Sequence, residues 1–287
     1  MTAPIAAIWV SYHSAADLEP SVASARASTG RELECIVVDN AADDADLAAF
    51  AERHPDVRVI SAGDNLGYGR AVNLATSTLG PEFEWILVVN PDTLFSPEAI
   101  DELLRVADAH PEAAAFGPRI MDPDGTVYPS ARALPSLRVG AGHALFARFW
   151  PDNRWSTAYR RSDLTSPGLA EPVTTGWLSG ACVLVRRAAF DRIGGFDSRF
   201  FMYFEDVDLG KRLGEAGGAS LYVPSARVTH VGGQSTKRHS REMIVVHHRS
   251  AYLYLAEKYS GWYLWPVRVA LRVALRARAF ISSRGGR

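Results

Sequence analysis

Short apolar runs rich in β-branched residues alternate with Ala- and Leu-rich segments along the first part of the chain. Strands that alternate with helices form a mostly parallel sheet with helices on both faces, so the pattern predicts an α/β, Rossmann-like fold. Ser96 is the expected N-cap of the fourth helix, and Pro97 is expected in its first turn. The predicted strands span residues 5–12, 33–40, 57–62 and 85–90, and the predicted helices span residues 15–28, 44–54, 68–79 and 97–109.

The pattern becomes less regular after residue 120. Residues 121–127 contain Asp-Pro-Asp-Gly and predict a hairpin. Residues 130–172 are rich in Arg, Pro, Trp and Tyr, and we interpret them as a long insertion that is only partly ordered. Regular structure is predicted to return with a strand at 177–186, a helix that begins near Glu205 and a strand at 220–223.

The C-terminal segment from Lys258 onward carries seven Lys or Arg residues and no acid. On a helix, Arg268, Arg272 and Arg276 share one stripe. Apolar residues face away from that stripe, namely Val269, Val273, Ala277 and Phe280. The pattern predicts a basic amphipathic helix that lies on an anionic membrane surface, and the alternative is a solvated helix packed on the core.

Composition narrows the class of protein only slightly. Hydrophobic residues make up 47% of the 287 residues, which is enough to form a globular core. The net charge of −1 gives no electrostatic basis for binding nucleic acid. The apolar run at residues 5–10 is too short for a signal peptide, and no stretch is long enough to span a membrane. We therefore expect a cytoplasmic protein, or one bound peripherally to the inner face of the plasma membrane.

Polar residues follow each of the first four predicted strands. In open α/β sheets, ligands bind beyond the carboxyl ends of the strands. The sequence therefore predicts a ligand site at this edge of the sheet. The four stretches are Ser11-Tyr-His-Ser14, Asp39-Asn40, Asp64-Asn-Leu-Gly-Tyr-Gly-Arg70 and Asn90-Pro-Asp92.

Three of these stretches suggest binding of a nucleotide diphosphate. Asp39 has a carboxylate for the imide N–H of a pyrimidine, although it could instead cap the next helix. Gly67 lets the backbone approach a ligand, and Arg70 supplies a permanent cation, although a capped turn is equally compatible. A buried acid at Asp92 needs compensation from a divalent cation, unless the stretch is only a proline turn.

Two later features suggest catalysis. The acids of Glu205-Asp-Val-Asp208 follow an aromatic run, which can desolvate a carboxylate and make it a better base. The alternative is an acidic first turn that stabilises the helix. His230 follows a predicted strand, and it either has a structural role or shares with Asp92 a mixed oxygen and nitrogen site that suits Mn²⁺ or Mg²⁺.

Taken in order, these motifs resemble glycosyltransferase family 2, whose fold is GT-A. The resemblance implies a GT-A domain at residues 1–257, with a nucleotide-binding half at 1–120 and an acceptor half at 121–257, followed by a helical extension at 258–287. It covers about residues 5–255 and is carried by Val38-Asp-Asn40, Asn65-Leu-Gly-Tyr-Gly-Arg70, Asn90-Pro-Asp92, Trp177-Leu-Ser-Gly-Ala-Cys182, Gly195-Phe-Asp197, Glu205-Asp-Val-Asp208 and His230.

The resemblance also implies a role for each candidate residue. Asp206 is the general base, Trp177 and Glu205 bind the acceptor, and Asp92 and His230 hold Mn²⁺ or Mg²⁺. The first acid of the family's Asp-x-Asp sequence is replaced by Asn90, so Asp92 carries most of the metal role. A basic loop at 232–241 is predicted to close as a lid over the diphosphate. Donor binding is expected at Ser11, Asp39, Asn65, Gly67, Arg70, Asn90 and Asp92.

Further stretches are similar to the actinobacterial rhamnosyltransferases of the family that build the arabinogalactan linker of the cell wall. This similarity implies inverting transfer of L-rhamnose from dTDP-L-rhamnose to N-acetylglucosaminyl-diphospho-polyprenol, and hence contact with a membrane surface. A homo-oligomer is compatible with the sequence. The stretches are Asp122-Pro-Asp-Gly-Thr-Val-Tyr-Pro-Ser-Ala-Arg132, Phe201-Met-Tyr203 and Tyr222-Val-Pro-Ser-Ala226.

Three alternatives to this function remain at the level of sequence. A family-2 transferase could use another donor, such as a UDP-sugar. A nucleotidyltransferase should carry a Gly/Arg-rich loop after the first strand, where this chain has Ser11-Tyr-His-Ser14 instead. A catalytically inactive binding module would not need Asp92, Asp206 and His230 together.

Overall fold

A computed structural model describes residues 4–136, 162–166, 168–232 and 240–284 of the chain. The elements of the first half are β1 (Ile5–Ser11), α1 (Ala15–Ala27), β2 (Leu33–Asp39), α2 (Ala45–Arg53), β3 (Arg58–Ser61), α3 (Tyr68–Thr76), β4 (Trp85–Val89), β5 (Thr93–Phe95), α4 (Ala99–Ala109) and β6 (Ala113–Met121). Those of the second half are β7 (Ala131–Arg132), a 3₁₀ turn (Ser162–Thr165), β8 (Val173–Thr175), β9 (Trp177–Leu178), β10 (Cys182–Arg186), α5 (Arg187–Arg192), α6 (Glu205–Glu215), β11 (Ala219–His230), α7 (Ser240–Lys258), a 3₁₀ turn (Trp262–Leu264) and α8 (Trp265–Arg284).

Within the described residues, nine strands form one sheet in the order β3-β2-β1-β4-β10-β6-β11-β5, with β8 paired to β11. The strands β1 to β4, β6 and β11 all run in one direction, and β5, β8 and β10 run against them. The predicted mostly parallel sheet is therefore confirmed. The carboxyl ends of β1, β2, β4 and β11 meet at one edge, and β10 starts from that same edge.

The two faces of the sheet carry separate hydrophobic cores. Because side chains alternate along a strand, the residues of β1 divide between these cores. Ile5, Ala7 and Trp9 pack with residues of α1, α2 and α4. Ala6, Ile8 and Val10 pack with residues of α3, α5 and α6. The prediction of helices on both faces is thus confirmed, and it explains why β1 is buried along its whole length.

Two local predictions are wrong. The chain does not continue as one strand over 177–186, because residues 179–181 break it between β9 and β10. Helix α4 begins at Ala99 rather than after Ser96, because Glu98 adopts a left-handed conformation with φ of 61°. Ser96 still accepts the N–H of Ala99 at 3.2 Å, but through its backbone carbonyl rather than its side chain.

The predicted hairpin at 121–127 is confirmed. Asp122 donates its N–H to the carbonyl of Thr126 at 2.8 Å, and Met121 bridges Val127. Gly125 takes the positive φ of 84° that this turn requires. Of the predicted insertion at 130–172, residues 137–161 and 167 lie outside the described residues, as do residues 233–239 of the predicted lid.

The C-terminal segment is helical, as predicted, but its long helix α8 begins at Trp265 rather than at residue 258. Helix α8 packs against α7, and the guanidinium of Arg272 lies 5.8 Å from the ring centroid of Tyr252 on α7. Ala279 on the packed side of α8 is 8% exposed, whereas Val273 is 62% exposed. None of the helices in the described parts of the chain is long and apolar enough to cross a bilayer.

Candidate active site

A cavity of 610 Å³ opens at the edge where the parallel strands end. Its wall contains the predicted residues Asn65, Asn90, Asp92, Glu205, Asp206 and His230. These residues come from four places that are far apart in the chain, and the strand order brings them together. The polar residues that follow the strands predicted a ligand site at this edge of the sheet. The cavity lies at the same edge.

Asp92 and His230 lie next to each other at this edge because β5 pairs with the end of β11. That pairing places Thr93 opposite His230. The Oδ1 atom of Asp92 lies 3.0 Å from Nε2 of His230, and Nδ2 of Asn90 lies 3.2 Å from the same nitrogen. Burial acts to raise the pKa of Asp92, but the hydrogen bond and charge of His230 outweigh it and lower that pKa. Asp92 is therefore ionised at neutral pH.

This pair fits a divalent cation that is bound together with a diphosphate. One carboxylate and one imidazole nitrogen give the mixed ligand set that suits Mn²⁺, and Mg²⁺ also takes few protein ligands beside substrate phosphates. Across the ranges that the structure describes, no group of three or more His, Cys, Asp or Glu side chains could hold a metal. The remaining ligands would therefore come from the donor and from water.

Asp206 and Glu205 begin helix α6 and form a second acidic site in the cavity. Asp206 accepts the N–H of Gly180 at 3.2 Å and the N–H of Val207 at 2.8 Å, which fix the plane of its carboxylate. Burial raises the pKa of Asp206, and burial together with the charge of Asp206 raises that of Glu205. The Oε2 atom of Glu205 is buried and has no hydrogen-bond partner within the described residues.

The backbone before these acids is strained. Tyr203 and Phe204 both take left-handed conformations, with φ of 64° and 67°. Two successive non-glycine residues in this region cost free energy, and such strain persists only where the surrounding structure holds it. Segment 65–73 holds this strained backbone in place.

Segment 65–73, which carries the predicted donor motif, packs against the loop 196–201 that precedes Glu205 and Asp206. A Cβ atom on Gly67 would lie 2.1 Å from the carbonyl oxygen of Phe201, so only glycine fits there. The segment thus fixes the position of the loop that leads to Glu205 and Asp206. Four hydrogen bonds complete the contact. They run from Tyr68 N–H to Phe201 O at 3.0 Å, from Arg70 Nε to Ser198 O at 2.9 Å, from Asn73 Nδ2 to Phe196 O at 2.8 Å, and from Phe196 N–H to Asn73 Oδ1 at 2.9 Å.

Five residues predicted to bind substrate do not line the cavity, namely Ser11, Asp39, Gly67, Arg70 and Trp177. Each has a structural role that explains its position. Ser11 Oγ lies 3.2 Å from Ser14 Oγ, and Asp39 Oδ1 accepts the N–H of Ala41 at 3.0 Å. Trp177 donates Nε1–H to the carbonyl of Ala133 at 3.2 Å.

Several residues of the cavity wall were not assigned from the sequence. Asn40, next to Asp39, lines the cavity and donates from Nδ2 to Asn65 Oδ1 at 3.1 Å. Asp17 is a further acid of the cavity wall, and burial and then the charge of Asp92 raise its pKa. Tyr12, His13 and Ser14 belong to the polar stretch after β1, which was a usable signal for them. The other unassigned residues are Val10, Tyr68, Pro91, Tyr128, Ser179, Gly180, Ala181, Phe201, Met202, Tyr203, Glu242, Met243 and Val246.

Tyr68 links segment 65–73 to Asp206. Its hydroxyl donates to the carbonyl of Gly180 at 2.7 Å, and the N–H of Gly180 holds Asp206. Because one hydrogen bond contributes about 1 kcal/mol, we expect Tyr68→Phe to lower kcat about fivefold to tenfold and to leave donor KM unchanged. Steady-state kinetics measure both, with Tyr263→Phe at an exposed position as the control. An unaltered kcat would contradict this link.

Comparison with known proteins agrees with the geometry. The profile of the family described as "Glycosyltransferase like family 2" matches residues 3–251. The N-acetylglucosaminyl-diphospho-decaprenol L-rhamnosyltransferase of Mycobacterium tuberculosis is 45% identical, covering 99% of this chain and 94% of that protein. The rhamnosyltransferase WbbL of Escherichia coli is 25% identical, covering 78% of this chain and 82% of that protein.

Two solved structures share the fold. The mannosyltransferase PcManGT from Pyrobaculum calidifontis, in complex with GDP-Man and Mn²⁺, superposes with a TM-score of 0.59 at 15% identity, covering 100% of this chain and 76% of that chain. GalNAc-T7 with UDP, GalNAc and Mn²⁺ superposes with a TM-score of 0.61 at 14% identity, covering 96% of this chain and 55% of that chain. At this identity they establish the GT-A fold alone. The chain therefore belongs to glycosyltransferase family 2 and is a glycosyltransferase of the GT-A fold.

Proposed function

We propose that this chain transfers L-rhamnose from dTDP-L-rhamnose to N-acetylglucosaminyl-diphospho-polyprenol, in synthesis of the arabinogalactan linker of the cell wall. The observation that carries the proposal is the 45% identity, over nearly the whole of both chains, to the mycobacterial enzyme named for rhamnosyl transfer to that class of acceptor. The cavity adds a chemical argument, because it combines an ionised acid beside a histidine with a second, proton-accepting carboxylate. The family match gives no support to a nucleotidyltransferase or to an inactive binding module.

The mechanism assigns a separate task to each acidic site. Asp92 and His230 would hold Mn²⁺ or Mg²⁺, which supplies positive charge to offset the charge on the departing diphosphate. Asp206 takes the proton from the acceptor hydroxyl while that oxygen bonds to the anomeric carbon and the bond from that carbon to the diphosphate oxygen breaks. A single displacement of this kind inverts the configuration of the sugar. Asn65 and Asn90 are proposed to contact the donor, and Glu205 the acceptor, because all three line the cavity.

A panel of donors tests the proposed function. We would incubate the full chain with Mn²⁺, an N-acetylglucosaminyl-diphospho-polyprenol acceptor, and either dTDP-L-rhamnose, UDP-glucose or UDP-galactose, and analyse the products by mass spectrometry. We expect a product heavier by one deoxyhexose with dTDP-L-rhamnose, and little product with the UDP-sugars. Preferred transfer from a UDP-sugar would instead support the alternative donor, and transfer from no donor would contradict the proposal.

Contact with a membrane surface is also part of the proposed function. The region after α7 exposes large apolar side chains, including Trp262 at 83%, Trp265 at 59% and Val269 at 51%. Exposed arginines, Arg272 and Arg276, lie beside this apolar surface on α8. Apolar residues flanked by cations are typical of a helix that lies in the interface of an anionic bilayer. We therefore propose peripheral binding to the inner face of the plasma membrane, where the lipid-linked acceptor would be found.

Neutralising the two arginines should weaken membrane binding. Each Lys or Arg near an anionic surface contributes about 1 kcal/mol, so Arg272→Gln with Arg276→Gln should lower the partition coefficient about thirtyfold. Co-sedimentation with phosphatidylglycerol vesicles measures that coefficient. The matched control is Arg53→Gln with Arg105→Gln, two exposed arginines on α2 and α4. Equal binding by both double variants would remove α8 as the contact surface.

A further inference from the structure

One part of the cavity wall is apolar, and the transfer chemistry proposed above does not use it. Met202 and Tyr203, which precede α6, and Met243 and Val246 on α7 form this part, which we call the apolar wall. Most charged and amide groups of the cavity come instead from the strand ends and from the start of α6, and Asp17 comes from α1. Glu242 also reaches the cavity from the first turns of α7, but it is exposed to solvent. A charged phosphate gains nothing from such a surface, whereas a hydrocarbon gains from leaving water there.

The two halves of the apolar wall are held together because α7 packs against the segment before α6. Ser250 on α7 donates its hydroxyl to the carbonyl of Met202 at 2.8 Å. Further along α7, the ring of Tyr254 is buried and its centroid lies 5.8 Å from that of Phe204. Met243 and Val246 are three residues apart, so they lie on one side of the helix. The two halves of the apolar wall are therefore held in a defined position beside Glu205 and Asp206.

Helix α8 returns towards the end of α7 that carries part of this wall. Arg268, near the start of α8, donates to the carbonyls of Tyr259 and Gly261 in the turn after α7, at 2.9 Å and 2.8 Å. Arg272 then lies over Tyr252 on α7. Helix α8 thus runs back along α7, and its C-terminal half approaches the end of α7 that carries Met243 and Val246.

We propose that Met202, Tyr203, Met243 and Val246 form a subsite for the first isoprene units of the acceptor lipid. The inference rests on the proposed function, which supplies an acceptor made of a sugar, a diphosphate and a polyprenyl chain. When the sugar hydroxyl is at Asp206, the hydrocarbon begins one diphosphate away and needs an apolar neighbour. The subsite thereby gives the enzyme a preference for a lipid-linked sugar over a water-soluble one, independently of membrane binding.

A series of water-soluble acceptors tests the subsite without a membrane. The acceptors are N-acetylglucosaminyl-diphosphate esters of one, two and four isoprene units, at saturating dTDP-L-rhamnose and Mn²⁺. We expect kcat/KM of the unaltered enzyme to rise about tenfold along the series, equivalent to about 1.4 kcal/mol of transition-state binding. In Met243→Ser with Val246→Ser that rise should be at most about twofold. Val245→Ser is the matched control, since Val245 is 51% exposed and does not line the cavity.

The possible outcomes are distinct. A rise with chain length that persists in the double variant, or that is absent from the unaltered enzyme, would overturn the subsite. Hydrolysis of dTDP-L-rhamnose by water, measured without acceptor, shows that a variant retains its folded donor site. If the double variant lacks it, Val246→Ala is measured on the same series, and an unchanged slope there would also overturn the subsite. Transfer to no member of the series would overturn the proposed function as well, whereas transfer without length dependence would overturn the subsite alone.

Discussion

Asp206→Asn is expected to lower kcat by about a thousandfold, since a positioned general base contributes about 10² to 10⁴ in rate. The asparagine keeps the shape of the side chain, and its oxygen is still able to accept the N–H of Gly180, but it has no lone pair basic enough to take a proton. Donor affinity should stay at the level of the unaltered enzyme, because the proposed role of Asp206 concerns the acceptor hydroxyl. Steady-state kinetics and titration of donor binding by calorimetry measure the two effects separately.

The pH dependence gives this prediction a second measurement. Burial raises the pKa of Asp206 to about 6, so its carboxylate becomes protonated in mildly acidic solution. A protonated base takes no proton, and kcat of the unaltered enzyme should therefore fall as the pH is lowered through that value. The residual activity of Asp206→Asn should lack this decrease.

The control for the Asp206→Asn prediction is Asp191→Asn. This variant replaces an acid on α5 that is 54% exposed and lies outside the cavity, and it should keep normal turnover and the normal pH profile. Near-normal turnover by Asp206→Asn would remove Asp206 from the role of base. Glu205, the adjacent carboxyl group, would then be the next residue to replace.

Asp92→Asn and His230→Ala are expected to lower kcat by about 10² to 10³, the effect of removing one group that stabilises developing charge. Asp92 is ionised because His230 lowers its pKa, so it offers a cation a full negative charge. Each substitution removes one of the two protein ligands proposed for that ion. Donor and acceptor would still bind, but the negative charge of the departing diphosphate would be less well neutralised.

The measurement is activity as a function of Mn²⁺ concentration, together with Mn²⁺ binding followed by electron paramagnetic resonance in the presence of dTDP. Both variants should need much higher Mn²⁺ for half-maximal activity, and both should bind the ion more weakly. Asp108→Asn, on the exposed surface of α4, is the control and should titrate normally. Normal titration of both variants would show that the pair does not hold the metal.

The first half of the fold was predictable because its physical signal is local. The strands β1 and β4 and the second half of β2 are covered on both faces, so they appear in the sequence as apolar runs. The polar residues after them marked the correct edge of the sheet, and Asn65, Asn90, Asp92, Asp206 and His230 all line the cavity there. Burial and strand order therefore account for the successful part of the prediction.

The rest depends on contacts between distant parts of the chain and on one local backbone conformation. Arg70 is predicted to supply a cation for a diphosphate, and the sequence does not indicate that its Nε also donates to the carbonyl of Ser198, 128 residues away. Met243 and Val246 line the cavity only because α7 packs against the segment before α6, and nothing in their own sequence indicates it. The left-handed Glu98 moved the start of α4, since most residue types disfavour that conformation and composition does not indicate it.

The acidic pair at the start of α6 has a thermodynamic consequence for the whole protein. Both carboxyl groups have a higher pKa in the folded chain than in the unfolded chain, so folding binds protons there. By linkage, the contribution of this pair to the free energy of unfolding is most favourable below about pH 4 and declines as the pH rises through the raised values. The pH that ionises Asp206 for its proposed role as a base is therefore one at which these two residues destabilise the native state.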